Sequence, residues 1–398
     1  MTVTSPSPPR QVCAALLLGS LALLILGLQP LLLGELFTSG RASLDGLGLV
    51  AMGEIVALGL GVIAGEALGP RLGLPRVLVP ATLLAVAADL TSAQASGDLL
   101  LLGLRALAGL GEGLLLWAAV ALIVRQPAAE RLSGLFMALQ TFCQGLLAAL
   151  LALWILPRLG SPGGFRLLAG VTALALPLTA ALPRRLAALE IPGSVPVRHR
   201  WRLPQALLLA FVGCQLAAIG ALWAYLEPYG EALGLDASQA QTLIAASFAA
   251  QLLGGLAGAA LVAWLPAATT LTLATLLLGS LAALIYGLAP GAHLTFALLC
   301  LAFTFLWQTL TPFQISLALR LDASGRIATL VPSLQLLGCA AGPALASLWL
   351  QGAAVRPAAL TSALLALLAL LALGLAALLA LSAPGSRPVP RWRWQRPG

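Results

Sequence analysis

Four ionisable residues stand where the sequence should tolerate none. Arg105 and Glu112 lie inside an apolar run from about residue 99 to 124, Glu54 inside a run at 46–67, and Asp89 inside one at 78–96. Runs of this length can cross ~30 Å of hydrocarbon, where a charged side chain is costly and usually functional. Arg105 and Glu112 are seven positions apart, so they fall nearly on one face of a helix, roughly 10 Å apart along its axis. An arginine in such a place needs an acid, here Glu54 or Asp89, or an anionic group on a ligand. A simple pair that locks two helices would also suffice. Counted at about 1.5 Å per residue, Arg105, Asp89 and Glu54 lie at similar depth, roughly 9–12 Å below one boundary, and Glu112 about 20 Å below it. No cation in the sequence matches the depth of Glu112. An acid so placed can take up and release a proton, or stay neutral and merely hydrogen-bonded.

These residues must be positioned by membrane helices. Of the 398 residues, 60% are hydrophobic and 9% charged, against about 25% charged in a soluble domain. That excludes soluble enzyme folds. The spans are expected near 12–36, 46–67, 78–96, 99–124, 133–156, 167–183, 205–229, 238–263, 268–289, 293–319, 326–351 and 357–382. Backbone groups in lipid must be bonded internally, so all twelve should be α-helices. The first span lacks a small-residue cleavage site and reads as retained. The five cysteines are isolated and the two histidines, His199 and His293, sit far apart in loops. No disulfide framework, metal site or cofactor is expected, and no enzyme activity, since no catalytic cluster forms near one interface. No nucleotide-binding motif is present either.

The net charge of +8 comes entirely from arginine; the chain has no lysine. With the N-terminus inside, sixteen arginines fall in inner segments and only Arg41, Arg158, Arg166 and Arg356 in outer loops. This is the positive-inside pattern, and it places both termini in the cytoplasm of a bacterial cell with an inner membrane. The basic tail Arg387–Gly398 is expected to lie on the inner leaflet, not on nucleic acid. A polar, arginine-rich stretch divides the chain into an N-terminal six-helix bundle (1–190), a cytoplasmic linker (191–204) and a C-terminal six-helix bundle (205–398). Two matched blocks are the layout of a repeat-built carrier.

Three motifs support a specific resemblance. Gly65-Glu-Ala-Leu-Gly-Pro-Arg71-Leu-Gly73-Leu-Pro-Arg76 resembles the loop motif GxLADRxGRR between spans two and three of the major facilitator superfamily, with Pro70 where that family has its acid. Arg105-Ala-Leu-Ala-Gly109-Leu-Gly111 is similar to its span-four motif RxxxGxG. Gly338-Cys-Ala-Ala-Gly342-Pro343 resembles its GxxxGP element. The resemblance covers essentially the whole chain. It implies an all-α membrane fold of two pseudo-symmetric six-helix bundles that works by alternating access. It also implies a conformational role for the loop residues Gly65, Arg71, Gly73 and Arg76, set against plain positive-inside anchoring.

Amides and aromatics mark a candidate cavity. Trp223 and Tyr225 end span seven. Phe303, Trp307 and Gln314 share a face of span ten, beside Gln308 and a kinking Pro312. Such a wall can stack a ligand and hydrogen-bond it. Interfacial belting is the better account of Tyr229. Gln144, Gln215, Gln251 and Gln335 are further polar candidates, each equally able to glue helices together. The expectation is a monomeric secondary transporter in the lipid bilayer that exports a small organic solute against protons. Glu112, Arg105, Glu54 and Asp89 would form its charge network. Arg105, Gln144, Trp223, Tyr225, Trp307 and Gln308 would contact substrate. Uptake of a metabolite anion through Arg105 and a non-transporting scaffold or sensor are the alternatives.

Overall fold

The computed structural model describes residues 7–186, 201–322, 324–349 and 355–382, and every regular element among them is a helix. Most of the expected linker, with Arg198, His199 and Arg200, and the whole Arg/Trp tail lie outside the described residues.

The first crossing is two helices, α1 (Pro9–Ala22) and α2 (Leu24–Thr38). Leu23 breaks the run at φ −104°, ψ 4°, and its carbonyl accepts a 2.6 Å bond from Gln144 Nε2. Helices α3 (Leu44–Leu72) and α4 (Leu74–Ser92) follow, then α5 (Asp98–Ile123) and α6 (Ala129–Leu150). A π-turn at Leu151–Ile155 leads into α7 (Leu156–Ala173) and α8 (Ala175–Ala181). The second half comprises α9 (Leu203–Trp223), α10 (Leu226–Ala232), α11 (Ala237–Leu261), α12 (Ala267–Tyr286), α13 (His293–Leu321), α14 (Arg326–Ser347) and α15 (Arg356–Ser382).

Eleven segments among the described residues are long and apolar enough to cross a membrane, and one, Ala129–Ala181, is 53 residues long. At 1.5 Å per residue it is too long for one crossing. It turns back at Gly160 (φ 59°, ψ −164°), where a side chain would be strained, so it supplies two crossings. The described residues thus supply twelve crossings, as expected of a multi-pass membrane protein. The expected loop between spans five and six is absent: Arg158 and Arg166 sit on helix either side of the reversal. Helix α4 begins four residues before the expected 78, because Pro75 lies in its first turn, where no N–H partner is needed.

The stretch expected as a loop at 65–76 is also helical. Helix α3 continues to Leu72, and Gly73 alone (φ 81°) joins it to α4. Leu74 N donates to Arg184 O at 3.1 Å, which pins this hinge to the chain after α8.

Helix α5 is the axis of the first bundle: 78% of its most apolar window is buried, against 28% for the lipid-facing α15. Its glycines explain this. A Cβ at Gly109 or Gly113 would strike the carbonyl oxygens of Glu54 and Leu58 on α3, and one at Gly111 that of Ala81 on α4. Small residues let the backbones approach. Gly338 and Gly342 do the same in the second bundle, where α14 lies against Gly213 and Ala217 of α9.

The bundles meet along two seams. Gly134 of α6 lies on the backbone of Ala259 in α11, and Gly255 on that of Ala138. On the other seam, Ser333 Oγ of α14 donates to Gly59 O of α3 at 2.8 Å. These contacts lie in the halves of the four helices nearest one end. That end carries Arg71, Arg76, Arg125, Arg131, Arg320 and Arg326, and is called the basic end below.

Candidate functional site

Helices α3, α4 and α5 bring Glu54, Asp89 and Arg105 together. Arg105 Nη1 donates to Asp89 Oδ1 at 2.5 Å, and Nη2 donates to Glu54 Oε1. The guanidinium therefore bonds both acids, where the sequence had offered either. Gln29 of α2 completes the group: its Nε2 donates to Glu54 Oε2 at 3.0 Å and to Ala51 O at 3.2 Å. The ring of Phe165 on α7 lies 5.3 Å from the guanidinium carbon, a cation–π contact. Neither Gln29 nor Phe165 was singled out from the sequence. A lone amide in an otherwise apolar first span was the available signal for Gln29; nothing marked Phe165.

Glu112 lies on the same face of α5, two turns nearer the basic end. It is 1% exposed, and its Oε2 has no hydrogen-bond partner. The cluster therefore holds three carboxyls and one guanidinium, all fully buried. Fully ionised it would carry a charge of −2 (three acids less one base), and uncompensated buried charge is prohibitively costly.

A small cavity of about 80 Å³ lies between the bundles. The α1–α2 break and helices α2, α5 and α6 line one side with Leu23, Leu26, Leu116, Val120, Phe136, Met137 and Gln140. Helices α9, α13 and α14 line the other with Leu216, Trp307, Gln308, Thr311, Ile315, Gln335 and Cys339. None of the lining residues is an acid, an arginine or a histidine. Gln308 spans the seam, its Nε2 3.5 Å from Thr141 Oγ1 of α6 and 3.3 Å from Gln251 Oε1 of α11.

Charge cluster and cavity are neighbours on two helices. On α5, Glu112 is one turn before Leu116; on α2, Gln29 is one turn after Leu26. Arg105 itself does not line the cavity. Of the other expected ligand contacts, Trp307 and Gln308 line it. Trp223 stands behind Trp307, edge-on at 5.6 Å, and against Phe248 at 6.1 Å. Tyr225 Oη donates to Pro343 O at 3.3 Å, and Gln144 serves the α1–α2 break. Gln215 and Gln314 form an amide chain inside the second bundle. Tyr229 is not an interfacial belt residue: it is 1% exposed, stacked on Phe296, and donates to Ile285 O at 3.0 Å.

At the basic end, the acid that bridges the bundles is Glu66. Its Oε2 accepts from Trp117 Nε1 and from Thr329 Oγ1 of α14, each at 2.9 Å, and its Oε1 is 3.8 Å from Arg326 Nε. Gly65 and Gly69 make room for the Trp117 indole. Arg71 bonds back to Ala67 O of its own helix at 3.2 Å, and Arg76 is exposed. So the carboxylate sits one helical turn before Pro70. Glu66→Ala is expected to shift the closed basic end toward opening by about 1–3 kcal/mol, the worth of a hydrogen bond to a charged group. The half-exposed Arg326 pair adds little. Pulsed EPR distances between labels at the basic ends of α3 and α14 should broaden to longer values. An unchanged distribution would show that this bridge does not hold the end shut.

No family model matches the sequence, and no curated protein matches it either. The fold has known counterparts. FucP, a major facilitator superfamily transporter in the outward conformation, superposes with a TM-score of 0.73 at 16% identity, covering 94% of this chain and 99% of that one. A second structure, of the E. coli fucose:proton symporter FucP, gives 0.69 at 16%, covering 92% and 97%. The human organic anion transporter MFSD10 (TETRAN) gives 0.67 at 19%, covering 92% of this chain and all (100%) of the other. The chain has the fold of major facilitator superfamily transporters.

Proposed function

We propose that this chain is a proton-coupled secondary transporter of a small organic solute, working by alternating access between bundles 1–190 and 205–398 joined by the linker 191–204. It acts as a monomer in a bacterial inner membrane, with the basic end and both termini in the cytoplasm, and it is not an enzyme. The observation that carries this reading is the placement of a fully buried charge cluster, with more acids than bases, one helical turn from the cavity on both α2 and α5. A solute in the cavity and a proton on Glu112 can then each change the energy of the other's binding, which is what coupling requires. Glu112 carries the proton, and Arg105, Glu54 and Asp89 hold the helices around it. Trp307 and Gln308 contact the solute, with Trp223, Tyr225 and Gln144 supporting the wall. Gly73 and Gly65 serve the rocking motion through the α3–α4 hinge and the Trp117 seat, with Arg71 and Arg76 at the membrane surface.

The seams hold the two bundles together near the basic end in this conformation. We favour export, because the lining is mostly apolar. Uptake is the second reading, favoured by the likeness to FucP, named a fucose:proton symporter. Uptake of an anion through Arg105 is less well supported, since both of its terminal nitrogens are taken by acids. The test is proton movement in proteoliposomes carrying a pH-sensitive dye. Addition of a transported solute should alkalinise or acidify the lumen in proportion to flux. Solute flux with no proton movement would sink the coupling, and no flux of any solute by folded protein would sink the transporter.

A further inference from the structure

Four arginines surround one glycine at the basic end. Gly73 joins α3 to α4, and a Cβ there would come 2.9 Å from the Arg184 carbonyl oxygen and 3.6 Å from Arg185 Cγ. The same carbonyl accepts from Leu74 N. Arg71 stands two positions before Gly73 and Arg76 three after it. The α3–α4 turn and the chain leaving α8 therefore bring two arginine pairs to one corner. All four side chains are exposed. Arg71 spends one N–H on Ala67 O of its own helix. Among the described residues, Arg76, Arg184 and Arg185 donate no side-chain hydrogen bond, and none of the four joins an ion pair. Glu66, the nearest acid along α3, is already bonded to Trp117 and Thr329.

Like charges gathered about one turn repel one another, and orientation in the membrane does not require it. The positive-inside bias sums arginines over the inner loops, and the corresponding turn of the second bundle, 262–266 between α11 and α12, holds no charge. Exposed apolar surface starts at the same corner. Leu68 and Leu72 lie on the last turns of α3, 40% and 43% exposed. On α4, Val79 and Leu83 follow Arg76 at i+3 and i+7, the spacing of one helix face, and both are exposed. A phospholipid has the matching build, with a phosphate at the surface and acyl chains below it. Arginine forks bond phosphate oxygens in pairs, and basic pockets at the inner ends of membrane helices receive such headgroups. We propose that Arg71, Arg76, Arg184 and Arg185, set about Gly73, form a binding site for an anionic phospholipid whose chains lie along Leu68, Leu72, Val79 and Leu83. A headgroup bonded to both pairs ties the α3–α4 turn to the chain leaving α8. The site requires only that the basic end lie at a membrane surface, whatever the cavity carries.

The test counts lipids on delipidated full-length protein by native mass spectrometry. Phosphatidylglycerol and phosphatidylcholine with the same chains are titrated in turn. The first phosphatidylglycerol should bind roughly tenfold more tightly than the first phosphatidylcholine. Arg184→Gln with Arg185→Gln, and separately Arg71→Gln with Arg76→Gln, should each weaken that first site by roughly tenfold. The control, Arg131→Gln with Arg320→Gln, removes the same charge from exposed arginines elsewhere at the basic end and should leave the affinity within about twofold. Phosphatidylglycerol should also raise the thermal unfolding midpoint of the native protein and the control, but not of the two corner variants. Size-exclusion profiles establish that all three are folded. Equal affinity for the two lipids overturns the proposal. So do equal losses in the three paired variants, which would mean general attraction to a basic surface. Displacement of the lipid by equimolar glycerol 1-phosphate, the headgroup chemistry without chains, would assign the corner to a free phosphate and overturn the lipid site.

Discussion

Glu112→Gln is expected to abolish proton-driven accumulation while leaving solute exchange intact. Glutamine matches glutamate in shape, but it cannot gain or lose the proton. A gradient of two pH units stores about 2.7 kcal/mol per proton, at about 1.36 kcal/mol per unit. With one proton per solute, the native protein can then hold roughly a hundredfold concentration ratio across the membrane, because each 1.4 kcal/mol is tenfold. The variant should reach a ratio of about one, since downhill movement remains and the driving force is disconnected. Counterflow of labelled against unlabelled solute separates this outcome from simple inactivation: exchange needs the cavity and the rocking motion but no net proton transfer. Accumulation at the native ratio by Glu112→Gln would remove Glu112 as the carrier. Loss of exchange together with accumulation would instead assign it to the fold.

The expectation singles out Glu112 because of how differently the four buried charges are held. Arg105 is bonded to two acids and backed by Phe165, and Glu54 is bonded to Arg105 and Gln29. Those side chains are locked on both sides. Asp89 also has an unpartnered oxygen but is ion-paired with Arg105, whereas Glu112 joins no ion pair among the described residues and stands one turn from the cavity lining on α5. A proton exchanged there changes the charge of the whole cluster by one unit without breaking a bond that holds the helices.

Much of this was readable before any fold was in view. Helix and span count followed from run length and from the backbone's need for internal bonds in lipid. The shared face of Arg105 and Glu112, and the similar depth of Arg105, Glu54 and Asp89, needed only the rise of a helix. What the sequence did not give had local causes. Depth arithmetic placed both acids level with Arg105 but could not show that a guanidinium has room to bond two of them. Phe165 and Gln29 join through tertiary approach, and neither carries a charge to draw notice. Glu66 was overlooked because the motif around Gly65–Arg76 directs attention to Pro70. Helical continuation to Leu72 puts the working acid one turn earlier and hands it to α14, more than 250 positions along the chain (263 between Glu66 and Thr329). The amide chain Gln335–Gln314–Gln215 spans three helices, and no periodicity within one helix could reveal it. Tyr229 was misread for the opposite reason: a tyrosine near a span end has a strong prior as a belt residue, and here packing against Phe296 overrode it.

Arg105→Leu should cost more stability than any other single substitution in the first bundle. Removing the guanidinium strands Glu54 and Asp89 in a site where each is at most 1% exposed. Breaking a buried ion pair by deleting one partner typically costs about 3–5 kcal/mol, most of it the penalty on the charge left behind. Here two acids are left, so the upper part of that range applies. The pair itself is a poor source of net stability, because both members were desolvated to form it. The sharper consequence is therefore a rescue. The triple variant Arg105→Leu, Glu54→Gln, Asp89→Asn removes the stranded charges along with the cation and should recover most of the lost stability. Thermal unfolding in detergent, or unfolding in mixed micelles, reads both steps. Transport separates them again: if the cluster only braces helices, the rescued triple should still accumulate solute through Glu112. If Arg105 also sets the proton affinity of Glu112 through the seven-residue spacing on one face of α5, the triple should fold and exchange solute but show a displaced pH profile for accumulation. A triple variant no more stable than Arg105→Leu alone would mean that shape and packing around the guanidinium, not its charge, hold α3, α4 and α5 together.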